Sequence, residues 1–207
     1  NEGNFEALWS IIDKKYCYLE YKNINWDSIH TTYKTKVNNK SGYLEFYNLM
    51  ADMLAELKDG HVNLYTGFAV SSYKKWYTDY PSNFSSDLIY SEQYLGNKHY
   101  SVSGLRYGKI SNNIGYIYYS DFSNRFSDTN MSYIFNYFKD CKGLIIDVRN
   151  NGGGYLDLSE QFASYFFDKE TITGYMQHKT GEGPTDFSKP QEIKTPAHKS
   201  FQWQLPV

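Results

Sequence analysis

The amino-acid sequence predicts an α/β fold in which a small N-terminal helical bundle precedes an α/β layer with a parallel sheet. Residues 1–60 place apolar side chains at the three- and four-residue spacing of amphipathic helices. Gly143–Val148 is apolar almost throughout, which is typical of a strand buried on both faces of a parallel sheet. The later order of strand, helix, strand, glycine loop and helix indicates an α/β layer structure.

Three helices are expected in residues 1–60. The first carries its apolar face from Phe5 onward, and the second runs from about Trp26 until the chain reaches Asn38. The third begins at Ser41, a residue type favoured as an N-cap, and ends at Asp59–Gly60. Together these helices form the predicted bundle, which is the first of three segments.

Residues 61–112 form the second segment, which we expect to be irregular with some strands. Short strand patterns lie at Val62–Thr66 and near Leu88–Leu95. The third segment, residues 113–207, contains the α/β core, with a strand at Ile114–Tyr119 and the buried strand already described. Helices are predicted at Met131–Phe138 and Leu156–Phe167.

The composition narrows the classes of function. The formal net charge is −2 and no run of Lys or Arg is present, so the sequence lacks the basic surface that binding to nucleic acid requires. No apolar stretch approaches the ~20 residues of a membrane span. Cys17 and Cys141 are too few for a disulfide framework and lie far from any His cluster, so we expect neither a metal nor another cofactor.

Three consecutive glycines, Gly152–Gly154, follow the buried strand and precede the last predicted helix. Glycines at such a point allow positive φ and close approach to the backbone, and free N–H groups there attract negative charge. The anion could be a phosphate or the oxyanion of an acyl-transfer intermediate. A phosphate loop would need Lys-Ser/Thr or a spaced G-x-G-x-x-G, whereas Tyr155 and Leu156 follow here. A tight turn without function is the remaining alternative.

A single histidine, His61, stands at the end of the segment LKDGH, just beyond the turn that ends the third predicted helix. A solitary histidine is more often structural than catalytic. The other histidines, at positions 30, 99, 178 and 198, stand in no ligand spacing. By itself, His61 is therefore a weak candidate for a catalytic group.

Three segments together resemble the S41 serine peptidases, which include the carboxyl-terminal processing (tail-specific) proteases and the tricorn core. They are LKDGH (57–61), IGYIYYSDF (114–122) and KGLIIDVRNNGGG (142–154), in the order typical of the family. The resemblance implies a crotonase/ClpP-like α/β core, here incomplete, and hydrolysis of peptide bonds in polypeptide substrates. It also implies an extracytoplasmic location, either periplasmic or secreted, with a lipid anchor as one form of attachment.

The resemblance also assigns roles to residues. It places the backbone N–H of Gly153, with Gly152 beside it, in the oxyanion hole, and it makes His61 the candidate general base of the tricorn-like members. Asp147, Arg149 and Asn151 are interpreted as residues that support the loop. An Asp and an Arg two positions apart at a strand end most simply satisfy buried backbone groups and each other.

Two departures from the family pattern matter. Val62–Asn113 shows no carboxylate-binding loop of a PDZ domain, so a complete PDZ domain is not expected. The nucleophilic Ser of the family is expected beyond residue 207, and the chain alone is expected to be inactive. Whether His61 or a downstream Lys serves as the base stays open. A non-catalytic protein that binds peptide, lipid or glycan through its aromatic residues, which make up 19% of the chain, is the alternative.

Overall fold

The computed structural model describes residues 1–207 and shows a mixed α/β fold, with helices first and a mixed sheet after them, as predicted. The chain divides into two compact units. The first comprises Asn1–Pro81 and Met176–Gln191, and the second comprises Ser82–Tyr175 and Glu192–Val207. These units differ from the three predicted segments. None of the helices combines the length and apolar character that crossing a bilayer demands.

The first unit contains the three predicted helices, α1 (Glu2–Lys15), α2 (Trp26–Lys34) and α3 (Tyr43–Ala55), and a short helix, α4 (Lys75–Thr78). Their apolar faces meet in one core. The fully or almost fully buried members of this core are Phe5, Ile12, Trp26, Tyr33, Phe46, Met53, Leu54 and Leu57. Burial of this many large apolar side chains is what stabilises short helices that would be marginal alone.

The ends of these helices follow local chemistry. The side chain of Asn25 accepts the N–H of Ser28 at 2.9 Å and so caps α2. The prediction of Ser41 as the N-cap of α3 is wrong, because the helix begins one residue later with Gly42 as N-cap and no side-chain cap. The third helix also ends at Ala55, before the predicted Asp59–Gly60, because the next three residues bond to carbonyls three positions back in a tighter turn, after which Lys58 adopts a φ of +48°.

Both short strands predicted in the second segment are wrong. Around Val62–Thr66 the structure has only one isolated bridge, between Tyr65 and Val70. The predicted strand near Leu88–Leu95 overlaps a helical turn instead, α5 (Ser86–Ile89), because the hydroxyl of Ser85 accepts the N–H of Leu88 at 3.3 Å. Capping by serine thus overrides the apolar alternation.

The second unit is built on a four-stranded sheet in the order β1-β2-β3-β4. The strands are β1 (Tyr100–Val102), β2 (Leu105–Ile110), β3 (Ile114–Tyr119) and β4 (Gly143–Asp147). The first three pair antiparallel, whereas β3 and β4 are parallel, as predicted. The parallel pairing brings the carboxyl ends of β3 and β4 together at one edge of the sheet.

Besides the short α5, the second unit contains two longer helices, α6 (Asp128–Tyr137) between β3 and β4, and α7 (Leu156–Ser164) after β4. A capping box formed by Ser127 and Asn130 starts α6. A separate two-stranded ribbon joins β5 (Thr171–Met176) to β6 (Gln191–Thr195). The core between the sheet and the helices includes Leu105, Ile117, Tyr119, Met131, Ile134, Phe138, Leu144, Phe162 and Tyr165.

Candidate active site

The glycine loop, residues 148–155, leaves the carboxyl end of β4 and runs beside the segment that follows β3. Gly152 N–H donates to the carbonyl of Ser120 at 2.9 Å, and Phe122 N–H donates to the carbonyl of Gly153 at 2.7 Å. Tyr155 N–H in turn donates to the carbonyl of Phe122 at 2.9 Å. These bonds extend the parallel pairing of β3 and β4 by several residues and hold the glycine loop in a defined position.

Asn151 makes one hydrogen bond from the glycine loop to β3 and a second one within the loop. Its Nδ2 donates to the carbonyl of Tyr119 at 2.8 Å, and its Oδ1 accepts the N–H of Gly153 at 2.8 Å. The second bond is an Asx-turn, in which an Asn side chain takes the place of a backbone acceptor two residues before the donor. The N–H group predicted to face an oxyanion, that of Gly153, therefore has an acceptor within the chain.

The three glycines differ in what they require. A Cβ atom at Gly154 would lie 2.4 Å from the carbonyl carbon and oxygen of Phe122, and the φ of Gly154 is +137°, so only glycine fits there. Gly152 and Gly153 face open space. Of the three N–H groups, only that of Gly154 has no protein acceptor. The loop residues are exposed, and Gly154 N–H is left for an acceptor from outside the chain, whereas Gly153 N–H is held by Asn151.

Asp147 anchors the start of the glycine loop. Its buried carboxylate accepts the backbone N–H of Arg149 at 2.9 Å, Nε of Arg149 at 3.0 Å and Nη2 at 2.6 Å, and it also accepts the hydroxyl of Tyr116. Burial alone would raise the pKa of Asp147, but the hydrogen bonds from Arg149 and Tyr116 hold it below its usual range. The same ion pair raises the pKa of Arg149. The carboxylate of Asp147 is thus ionised, and both of its oxygens accept hydrogen bonds.

His61 lies in the first unit, and its ring is fully exposed. The residue that fixes its backbone is Asp59, whose Oδ1 accepts the N–H of His61 at 2.9 Å. The other oxygen of Asp59 accepts the hydroxyl of Tyr16 and the ammonium of Lys22, the latter at 3.2 Å. Burial would raise the pKa of Asp59, yet these hydrogen bonds together lower it.

Comparison with known proteins agrees with the motifs. The sequence profile of the Tricorn protease C1 domain matches residues 1–55, and that of Peptidase family S41 matches residues 113–207. The chain belongs to peptidase family S41. Both the helical N-terminal region and the α/β part thus match domains found in peptidases of this kind.

Two solved structures resemble this S41 chain. A crystal structure of a candidate peptidase from Parabacteroides merdae ATCC 43184 is 40% identical, with a TM-score of 0.90, and the match covers 99% of this chain. The chain spans 64% of the length of that protein. The photosystem II D1 C-terminal processing protease matches over 100% of this chain and 73% of its own, at 12% identity and a TM-score of 0.47. No curated protein matches the chain.

Within this S41 chain, the structure brings five of the six predicted site residues together. Asp147, Arg149, Asn151, Gly152 and Gly153 lie in or next to the glycine loop. The sixth, His61, lies in the other unit.

Sequence reasoning missed the partners that hold these residues. Tyr116 stands 31 positions before Asp147, and Tyr16 stands 43 positions before Asp59. No local spacing signals either contact. The segment DGH could have pointed to Asp59, since that residue is only two positions from His61.

Proposed function

We propose that this chain is part of a serine endopeptidase, which cleaves polypeptide substrates by acyl transfer. The nucleophilic Ser of this enzyme is proposed to lie beyond residue 207. The observation that carries the proposal is the exposed glycine loop of the S41 domain at the carboxyl ends of two parallel strands, where Gly154 N–H has no acceptor in the chain and Gly153 N–H has only the side chain of Asn151. Such paired amide donors are suited to stabilise an oxyanion.

The proposed reaction begins when the Ser Oγ attacks the scissile carbonyl carbon. The hydroxyl proton passes to His61, or to a Lys beyond residue 207, and the carbonyl electron pair moves to the oxygen. Gly153 N–H then donates to this oxyanion in place of its bond to Asn151. Collapse of the intermediate breaks the C–N bond, the base returns the proton to the leaving amine, and water hydrolyses the acyl-enzyme.

The free edge of β4 supports the position proposed for the nucleophile. Leu144 N–H donates to the carbonyl of Pro206 at 2.9 Å, so the chain near residue 207 already lies alongside β4. A strand continuing from there would pair with β4, and its following helix would carry the proposed Ser. Ile145 and Val148 expose apolar side chains on or next to β4, which a further strand and its helix would cover.

The experiment compares the complete protein with residues 1–207 alone in a casein or tagged-peptide cleavage assay. We expect the complete protein to cleave peptide bonds, to react with a serine-directed fluorophosphonate probe, and to lose both properties when the proposed Ser is replaced by Ala. Residues 1–207 should show neither. Labelling of this shorter chain would contradict the proposal, and a complete protein that stays inert with its Ser intact would favour the non-catalytic binding protein.

Two finer parts of the proposal have their own tests. In the complete protein, His61→Gln should abolish cleavage if His61 is the base, and undiminished cleavage would assign that role to a downstream Lys. We also propose an extracytoplasmic location, which the S41 resemblance supports. Cell fractionation of the native protein checks it, and recovery in the cytoplasmic fraction alone would contradict it.

A further inference from the structure

A largely buried acidic group lies next to the candidate base, and the reaction scheme above does not use it. The side chain of Asp59 is only 13% exposed, although it belongs to a turn. Its Oδ2 accepts the hydroxyl of Tyr16 and, at 3.2 Å, the ammonium of Lys22. Lys22 is itself anchored by the carbonyl of Leu57 at 3.0 Å. Oδ2 of Asp59 therefore accepts hydrogen bonds from two donors, the Tyr16 hydroxyl and the Lys22 ammonium.

The other oxygen, Oδ1, faces His61. It accepts the backbone N–H of His61 at 2.9 Å, and it lies 3.6 Å from the ring nitrogen Nδ1. The backbone bond fixes the Cα of His61 relative to the carboxylate, so a small rotation of the ring brings Nδ1 within hydrogen-bond distance. The ring makes no hydrogen bond in the structure, and Asp59 is the acidic residue that lies within 4 Å of it.

We infer that Asp59 is the positioning residue of His61: its Oδ1 accepts the Nδ1–H of the ring, which leaves Nε2 unprotonated and directed outward. This inference rests on the proposed function, in which Nε2 takes the proton of the nucleophilic Ser. During that transfer Nδ1–H stays in place, the ring gains one positive charge, and the ionised Asp59 offsets it. The proton then leaves from Nε2 to the departing amine.

The surroundings explain why Asp59 can perform this role. Tyr16 and Lys22 are the other titratable groups in contact with its carboxylate, and both bind Oδ2 rather than Oδ1. They fix the orientation of the carboxylate without occupying the oxygen that faces His61. The alternative is that Asp59 only ties the end of α3 to the turn after α1, in which case the state of the His61 ring is independent of it.

Nuclear magnetic resonance of the 15N-histidine-labelled 207-residue chain tests the inference without catalysis. Long-range 1H–15N correlation spectra at about pH 9, where an imidazole of ordinary pKa is neutral, show which ring nitrogen carries the proton. We expect mostly Nδ1–H for His61 in the wild type and a shift to Nε2–H in Asp59→Asn. A wild type with mostly Nε2–H, or an unchanged ratio in Asp59→Asn, would overturn the inference.

Tyr16→Phe is the matched control. It removes one hydrogen bond to Oδ2 and loosens the same network, but it leaves the charge and Oδ1 of Asp59 in place. The chain should become less stable while the Nδ1–H signal of His61 persists. If Tyr16→Phe and Asp59→Asn change the signal equally, the effect is structural and the inference fails.

In the complete protein, Asp59→Asn should lower kcat by about 10² with little change in KM, because the ring would present the wrong tautomer to the nucleophile. Tyr16→Phe should retain most of kcat. If the complete wild-type protein cleaves no peptide, the proposed function is refuted. The NMR spectra still test the contact between Asp59 and His61, because they do not depend on cleavage. Full activity of His61→Gln beside an active wild type would overturn the positioning role.

Discussion

The two loops that carry the S41 motifs are held in different ways. The glycine loop is fixed at both ends, by the buried Asp147 and by the bonds of Asn151 to the last residue of β3 and of Gly152 to the residue after it. The turn before His61 is held through Asp59 and through the ammonium of Lys22, which donates to the carbonyls of Leu57 and Lys58, and the ring of His61 projects into solvent. The backbone of the glycine loop is thus held in place, whereas the ring of His61 makes no hydrogen bond to the chain.

The largest expected effect is that of Gly154→Ala. The new Cβ would lie 2.4 Å from backbone atoms of Phe122, which cannot rotate away, and a φ of +137° is strained for alanine. We expect a loss of about 4 kcal/mol of unfolding free energy from the two costs together. Urea unfolding measures it, with Gly152→Ala as the control, since its Cβ meets nothing within 4 Å. Equal losses would show that the glycine loop is not held as described.

Asp147→Ala should follow, with a loss of about 3 kcal/mol, because Tyr116 would keep a buried hydroxyl without its acceptor and Arg149 would lose its anchor. Hydrogen exchange of the backbone amides in β3 and β4 measures this loss of stability in the strands themselves. Asp157→Ala is the control, since Asp157 pairs with Arg125 at 3.0 Å on the surface and should cost under ~1 kcal/mol. A similar cost for both would contradict the buried anchor.

Acid should destabilise both loops. The pKa values of Asp147 and Asp59 are lowered in the folded chain, so the unfolded chain binds protons more readily. Their stabilisation is present above the unfolded value of about 3.9 and is lost as the pH falls through the folded value. Thermal unfolding across this range should show a shallower loss in Asp147→Asn and in Asp59→Asn. An unchanged acid profile in both variants would refute the assignment.

The smallest effect is expected for His61→Gln. The ring is fully exposed, so its replacement should change the unfolding free energy by less than ~0.5 kcal/mol. Chemical denaturation of the 207-residue chain measures this change. A loss above ~1 kcal/mol would mean that the ring packs against the chain, and the contrast between the two loops would then weaken.

Local patterns predicted much of the fold. β3 was predicted with its observed bounds and β4 to within one residue, because a continuous apolar run between turn residues leaves few alternatives. The helices were found with errors of a few residues at their ends. The strand predicted at Val62–Thr66 failed because alternation over five residues is too short to outweigh the turn that Thr66 closes by accepting the N–H of Ala69.

By itself, the sequence determined the family, the parallel strand pair and the presence of a glycine loop, since each depends on residues close together in the chain. Only the tertiary structure decided which groups hold these residues in place. It brings Tyr116 to Asp147, Tyr16 and Lys22 to Asp59, and the backbone of Phe122 against Gly154. These contacts join residues far apart in the chain, and their existence depends on the packing of whole elements rather than on any local spacing.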